Sequence, residues 1–186
     1  VFLVWDEFFT QIGVWGFNPE YLIGVYLAHL PLEEVLFFIC IPFSSLFIHY
    51  SLAYFKPKWL IGDRTVMRIS IFLFLSVLVA VIYNFPAKYT TFNGVFFLVL
   101  MIWSLFKPNN ELNRFYLSFL IILVPFFLVN GILTGSFIED PVVWYNNSEN
   151  LGLRLGTIPV EDVFYAFNML YPTLMMTKYF SKKFNL

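Results

Sequence analysis

Two short motifs set adjacent carboxylates where acid–base chemistry is possible: Pro31-Leu32-Glu33-Glu34 and Pro159-Val160-Glu161-Asp162. Each opens a long apolar run. Read locally, they are good helix starts, because proline suits the first helical position and acids there complement the helix dipole. Read functionally, they are costly groups, since carboxylates at span ends are tolerated mainly when they face water or a bundle interior. The helix N-terminus favours the anion by about 0.3–1 kcal/mol. Full burial raises a carboxyl pKa by up to about 3–5 units, at about 1.36 kcal/mol per unit. In a dry site burial wins. One acid then holds a proton near neutral pH while another stays ionised as a base, as general acid–base catalysis requires.

Five further residues are candidates for binding a substrate beside these acids. Phe37 and Tyr165 lie four residues after Glu33 and Glu161, hence on the same helix faces, where an aromatic ring can stabilise a passing cation. That spacing favours Glu33 and Glu161 over Glu34 and Asp162 as the acting pair. Arg154 lies five residues before Pro159 and either orients Glu161 or Asp162 through a charge-assisted pair or is a solvated loop residue. Asp6 belongs to the same outer level as the motifs. Asn130 lies within an apolar run, where an amide usually bonds a neighbouring helix.

The elements that must hold these residues are membrane spans. The chain has 186 residues, 60% of them hydrophobic, 22% aromatic and only 12% charged, and its mean hydropathy is +0.76. Soluble domains carry roughly a quarter charged residues. A span needs about 20 mostly apolar residues, and five stretches qualify or nearly so: 31–54, 66–85, 91–106, 115–135 and 159–180. The third is short, with Trp103 and Lys107 as interfacial anchors at its end. The apolar stub Phe2-Leu3-Val4-Trp5 after Val1 reads as the remainder of a longer span. The expected fold is therefore an all-α membrane protein: a polytopic bundle of five full helices plus a fragment. Solidly apolar runs speak against a β-barrel, whose strands alternate in polarity.

Nine of the eleven basic residues fall between the first two spans, between the third and fourth, or after the fifth; Lys88 and Arg154 alone fall opposite. The positive-inside rule makes the nine-residue side cytoplasmic, so the chain is expected in the cell (inner) membrane with its C-terminus in the cytoplasm and both acidic motifs at the outer level. A net charge of −1 excludes a strongly basic nucleic-acid surface. Cys40, the single cysteine, excludes an intrachain disulfide and reads as a small packing residue. His29 and His49 lie at opposite ends, so no metal is expected. The lack of a Gly-x-Gly-x-x-Gly fingerprint removes a dinucleotide cofactor site.

The chain also matches itself at an offset of 128 residues, Leu30-Pro31-Leu32-Glu33-Glu34-Val35 aligning with Ile158-Pro159-Val160-Glu161-Asp162-Val163. Both motif helices run inward from outside, so the repeat is parallel. The expected organisation is one transmembrane domain over 1–186: a first repeat over 1–65, a connecting helix over 66–88 and a second repeat over 89–186. A complete protein would then hold two three-helix halves joined by one helix.

The motifs resemble the integral-membrane lycopene β-cyclase family, which occurs as two small subunits or one fused chain. In the first half the resemblance rests on Val4-Trp5-Asp6, Trp15-Gly16-Phe17-Asn18-Pro19 and Leu30-Pro31-Leu32-Glu33-Glu34-Val35-Leu36-Phe37-Phe38. In the second it rests on Val129-Asn130-Gly131-Ile132-Leu133-Thr134-Gly135 and on Leu153-Arg154 through Asp162. It implies an isomerase of carotenoid biosynthesis that needs no cofactor. Its partners would be lycopene and other linear carotenoids, membrane lipid and other carotenoid-pathway enzymes. The rivals are a retinal- or carotenoid-binding membrane protein without activity and an intramembrane protease. The first wants a lysine in mid-span, whereas Lys178 stands at the inner end. The second wants an arginine after the paired glutamates, where Val35-Leu36-Phe37-Phe38-Ile39 follow.

Overall fold

The computed structural model describes residues 1–106 and 111–184; Lys107 lies outside them. Among the described residues there are six α-helices: α1 (Phe2–Gln11), α2 (Leu32–Phe55), α3 (Asp63–Asn84), α4 (Lys88–Phe106), α5 (Glu111–Leu133) and α6 (Glu161–Phe184). All five expected spans are helices, and the fold is an all-α membrane protein. By length and composition α2, α3 and α5 can each cross a membrane. Their outer faces carry exposed apolar residues such as Ile39, Phe43, Phe72, Leu75, Leu120 and Val124. Cys40 is exposed as well, so it is a surface residue of α2 rather than the packing residue expected. The phase of a helix that is apolar all round cannot be read from its sequence.

α6 is the least uniformly apolar of the long helices because it lies inside the bundle. It packs against α2, α4 and α5, and Phe167, Asn168, Leu170, Tyr171 and Leu174 are buried along it. The ring of Phe167 meets Phe97, Phe115 and Phe119 at centroid distances of 5.3, 5.3 and 5.4 Å. Polar side chains lock α4 to α6. Asn168 Nδ2 donates to Asn93 Oδ1 at 2.8 Å, and Asn93 Nδ2 donates to the Glu161 carbonyl at 2.7 Å. α3 lies close against α4 at Gly94, where any Cβ would collide with Val81, the small-residue approach common between membrane helices.

The segments leading into α2 and α6 are folded caps. They contain β1 (Trp15–Phe17), β2 (Tyr26–Leu27), β3 (Leu30–Pro31), β4 (Val143–Tyr145), β5 (Arg154–Leu155) and β6 (Ile158–Pro159). β2 pairs with β3 and β5 with β6 in two small hairpins, Tyr26 facing Pro31 and Arg154 facing Pro159. Pro31 and Pro159 therefore end strands and do not open the helices as expected. The reason is the next amide in each hairpin: Leu32 N–H bonds the Val25 carbonyl at 2.9 Å, and Val160 N–H bonds the Leu153 carbonyl at 3.0 Å. Asn18 and Asn146 cap equivalent 3₁₀ turns, each side chain accepting an amide two residues on at 3.1 Å.

The two caps are joined to each other. β1 and β4 pair antiparallel with Gly16 opposite Trp144, and a Cβ at position 16 would collide with the Trp144 indole. The ladder is closed on both sides by Asn18 N–H to the Val142 carbonyl at 2.8 Å and Asn146 N–H to the Val14 carbonyl at 2.9 Å. Each of these contacts has its counterpart 128 residues away.

Candidate active site

The caps bring three helix ends to one cleft. It opens between α2, α5 and α6, has a volume of about 190 Å³, and is closed at its head by α1, β1, β4 and Tyr89. The helices that line it contain Pro42, Pro125 and Pro172. A proline inside a helix removes a backbone hydrogen bond and bends the rod, which loosens packing between neighbours. Below its head the wall is apolar, formed by Ile41, Ile48, Ile122, Phe126, Met169 and Leu170.

Of the four acids in the motifs, Glu34 and Asp162 line the cleft and Glu33 and Glu161 do not. The preference for Glu33 and Glu161 drawn from the spacing to Phe37 and Tyr165 is thereby reversed in geometry. A separation of three residues shares a face as well as one of four does. Glu33 and Glu161 instead clasp their own caps. Glu33 Oε1 accepts the Ile23 amide at 2.7 Å, and Glu161 Oε1 accepts the Leu151 amide at 2.6 Å and the Thr90 hydroxyl at 2.7 Å.

The cleft acids differ in what they receive. Asp162 accepts two phenolic hydroxyls, Tyr89 at 2.5 Å on Oδ1 and Tyr145 at 2.8 Å on Oδ2. Asp6, 2% exposed, accepts the indole N–H of Trp15 at 2.6 Å. Among the described residues no hydrogen bond reaches the Glu34 carboxyl. Trp15, Tyr89, Tyr145 and Tyr165 surround this head of the cleft. Tyr89 and Tyr145 stack with centroids 6.0 Å apart, and Trp15 packs edge-on to Tyr89 at 5.1 Å. Burial, and then the charge of Asp162, push the Tyr145 hydroxyl well above the usual phenol range, so it remains a donor.

The two tyrosines reach Asp162 because cap and helix are clamped together. Lys88, the first residue of α4, meets Glu149 twice: its Nζ at 2.5 Å from Oε1 and its backbone N–H at 2.9 Å from Oε2. Burial opposes ionisation of Glu149, but the bonds from Lys88 outweigh it and hold the carboxyl below its usual range. α1 is tied in similarly, through Glu7, which accepts the His29 amide at 3.0 Å and pairs with its imidazole Nδ1.

Phe37, Asn130, Tyr165 and Asp6 all line the cleft. Asn130 departs from the usual expectation for a span amide: among the described residues its side chain bonds no neighbouring helix. Arg154 is placed elsewhere and forms no ion pair with Glu161 or Asp162. Its hairpin turns the guanidinium along its own loop, to the Thr157 carbonyl at 2.6 Å and Asn147 Oδ1 at 2.7 Å, above the Tyr145 ring. Lys178 pairs with Glu111 and is not among the residues of the cleft. Tyr89 and Tyr145 escaped the sequence reading, and Trp15 entered it only within a motif of the resemblance and not as a site residue. The available signal was the set Tyr89, Thr90 and Asn93, polar residues on one face at the start of an otherwise apolar helix.

A model of the family described as lycopene cyclase matches residues 1–52 and 86–180. A stretch of 66 residues is 33% identical to a bifunctional lycopene cyclase/phytoene synthase of Pyrenophora tritici-repentis (strain Pt-1C-BFP), covering 34% of this chain and 11% of that protein. No solved structure matches the chain. With most of its length matched by the family model, and its two acidic motifs inside the matched segments, the chain belongs to the lycopene cyclase family.

Proposed function

We propose that this chain closes the linear ends of lycopene into β-ionone rings, an isomerisation that yields β-carotene. The observation that carries the reading is the meeting of Asp6, Glu34 and Asp162, from three helices, at the aromatic head of one apolar cleft. From Glu34 to Ile48 the wall follows α2 for about 14 residues, or ~21 Å at the helical rise. That shape suits a long apolar chain entering end-first. The volume is below the ~300–1,000 Å³ of pockets that enclose a drug-sized ligand, so the cleft takes one end while the remainder lies along the helices in lipid.

Glu34 is the acid and Asp162 the base. A carboxyl that receives no hydrogen bond among the described residues and stands beside two other carboxyls is suited to carry a proton, whereas two hydroxyl donors suit Asp162 to the ionised form. Glu34 protonates the terminal C1=C2 bond at C2, leaving a cation at C1. The C5=C6 bond attacks through C6, forming the C1–C6 bond and moving the charge to C5. Asp162 removes the C6 proton, and the C5=C6 bond is restored. Protons and electrons balance without a redox partner. The aromatic faces around Asp162 stabilise the passing cation, each by about 0.5–2 kcal/mol.

The same proposal reads the chain as two parallel repeats, 1–65 and 89–186, joined by a helix over 66–88. The cap contacts at an offset of 128 support it, and so does the gap in the family match between residues 52 and 86. The acidic head lies at the outer face and the C-terminus in the cytoplasm. Carotenoid-forming enzymes are the natural neighbours, as the joint name of the bifunctional relative suggests. The test is pigment analysis of lycopene-accumulating cells that make this chain. The expected result is loss of lycopene with appearance of β-ring carotenoid. Unchanged lycopene at verified protein level would overturn the reading.

A further inference from the structure

We propose that the Tyr165 hydroxyl returns the proton from Asp162 to Glu34 after each ring closure, which resets the site without passage through bulk water. The inference rests on the assignment of Glu34 as acid and Asp162 as base. Each closure leaves Glu34 ionised and Asp162 protonated, so no second closure can begin until one proton travels back. In the return step the Asp162 and Glu34 carboxyls, neither of which bonds the Tyr165 hydroxyl in the resting site, turn onto it, and the Asp162 O–H gives its proton to the Tyr165 oxygen. The Tyr165 O–H gives its own to the Glu34 carboxylate in the same event, and both charges return to their starting places.

The geometry singles out this hydroxyl. Tyr165 lines the cleft together with Asp6, Glu34 and Asp162, and it stands three residues after Asp162 on the same face of α6. Its ring is held by Trp5 at 5.3 Å, Phe2 at 5.5 Å, Trp15 at 6.1 Å and Tyr89 at 6.3 Å. The hydroxyl is buried and, among the described residues, has no hydrogen-bond partner. The other two tyrosines at the head are already committed to Asp162. A phenolic hydroxyl both donates and accepts, which is the property a one-step relay needs. At the position 128 residues earlier the chain has Phe37, which also lines the cleft, so a bare ring fits such a site and the hydroxyl of Tyr165 is an addition to it.

The experiment compares first-turnover and steady-state rates of lycopene cyclisation by the full chain in lipid vesicles, wild type against Tyr165→Phe. Phenylalanine keeps the ring and removes the relay. Relative to the first turnover, the steady-state rate should fall about 100-fold, the lower end of general acid–base effects. The ratio of the two rates does not depend on how much variant protein folds. An unchanged ratio, whether both rates survive or both collapse, overturns the relay. Wild-type protein that forms no ring product overturns the acid–base assignment instead, and the relay with it.

Discussion

Glu34→Gln and Glu33→Gln alter neighbouring residues in the same turn of α2, yet the geometry assigns them opposite outcomes. Glutamine at 34 keeps the shape of the side chain in the cleft but cannot deliver a carboxylic proton. General acid catalysis contributes about 10²–10⁴-fold, so cyclisation should fall by that range, equivalent to about 3–5.5 kcal/mol of barrier. Glutamine at 33 can still accept the Ile23 amide, now 2.7 Å from Oε1, through its neutral amide oxygen. A hydrogen bond to a charged acceptor contributes about 1.5–3 kcal/mol and a neutral one about 0.5–1.5. The difference of about 1 kcal/mol loosens the cap and leaves rate losses within about fivefold. The same contrast holds between Asp162→Asn and Glu161→Gln in α6. The assay is chromatographic separation of pigments from lycopene-accumulating cells, normalised to immunoblotted membrane protein. Inactive Glu33→Gln beside active Glu34→Gln, at equal protein levels, would refute the assignment of the cleft-lining acids.

Three further outcomes follow from the neighbouring contacts. Tyr145→Phe removes the 2.8 Å bond to Asp162, and a charge-assisted bond of about 1.5–3 kcal/mol predicts a steady-state loss of about 10–100-fold with membrane insertion unchanged on immunoblots. Gly156, at φ +67°, and Ala28, at φ +56°, occupy the same turn position of the two hairpins. Left-handed backbone costs a residue with a Cβ about 1–2 kcal/mol, so Gly156→Ala should lower thermal stability in detergent and Ala28→Gly should not. The Glu149 carboxyl is held below its usual value of 4.5, so its contribution to stability is complete above pH 4.5 and is lost as pH falls through the lower folded value. A Lys88→Met protein should therefore be less stable than wild type at neutral pH, with the gap closing in acid; a gap independent of pH would show that the clamp does not act through this charge pair.

How much of this was legible in the sequence depends on what fixes each feature. The spans were legible because lipid demands apolar length, and α2 through α6 fall where the apolar runs stand. Which acid of each pair faces the cleft was not. A helix surrounded by lipid on one side and by apolar neighbours on the other is hydrophobic all round, so its pattern carries no phase. One residue is a rotation of about 100°, and that step separates Glu33 at the cap from Glu34 at the cleft. Tyr145 was illegible for a different reason. It is a loop residue in sequence and is set beside Asp162 by the folded cap, in which β4 pairs with β1 across more than a hundred residues.

That pairing also bears on how the two halves of the proposed repeat would come to perform unlike steps. Gly16 faces Trp144, its own counterpart at the offset of 128, so the ladder sits where a two-fold axis relating the repeats would pass. With fully equal halves on such an axis, the two cleft carboxyls would have equal surroundings and no reason to differ in protonation. Differences at matched positions break this equality. Tyr145 donates to Asp162, and Tyr165 adds a hydroxyl where Phe37 has none. Position 17, the counterpart of Tyr145, holds Phe17 in the same lining and offers Glu34 no donor. On the proposed mechanism the division into acid and base is therefore written in the hydroxyls around the carboxyls. Phe17→Tyr, which places a phenol at the position equivalent to Tyr145, should give Glu34 a donor, favour its ionised form and slow the first protonation. A first-turnover rate unchanged by that added hydroxyl would show that some other asymmetry sets the direction of proton flow.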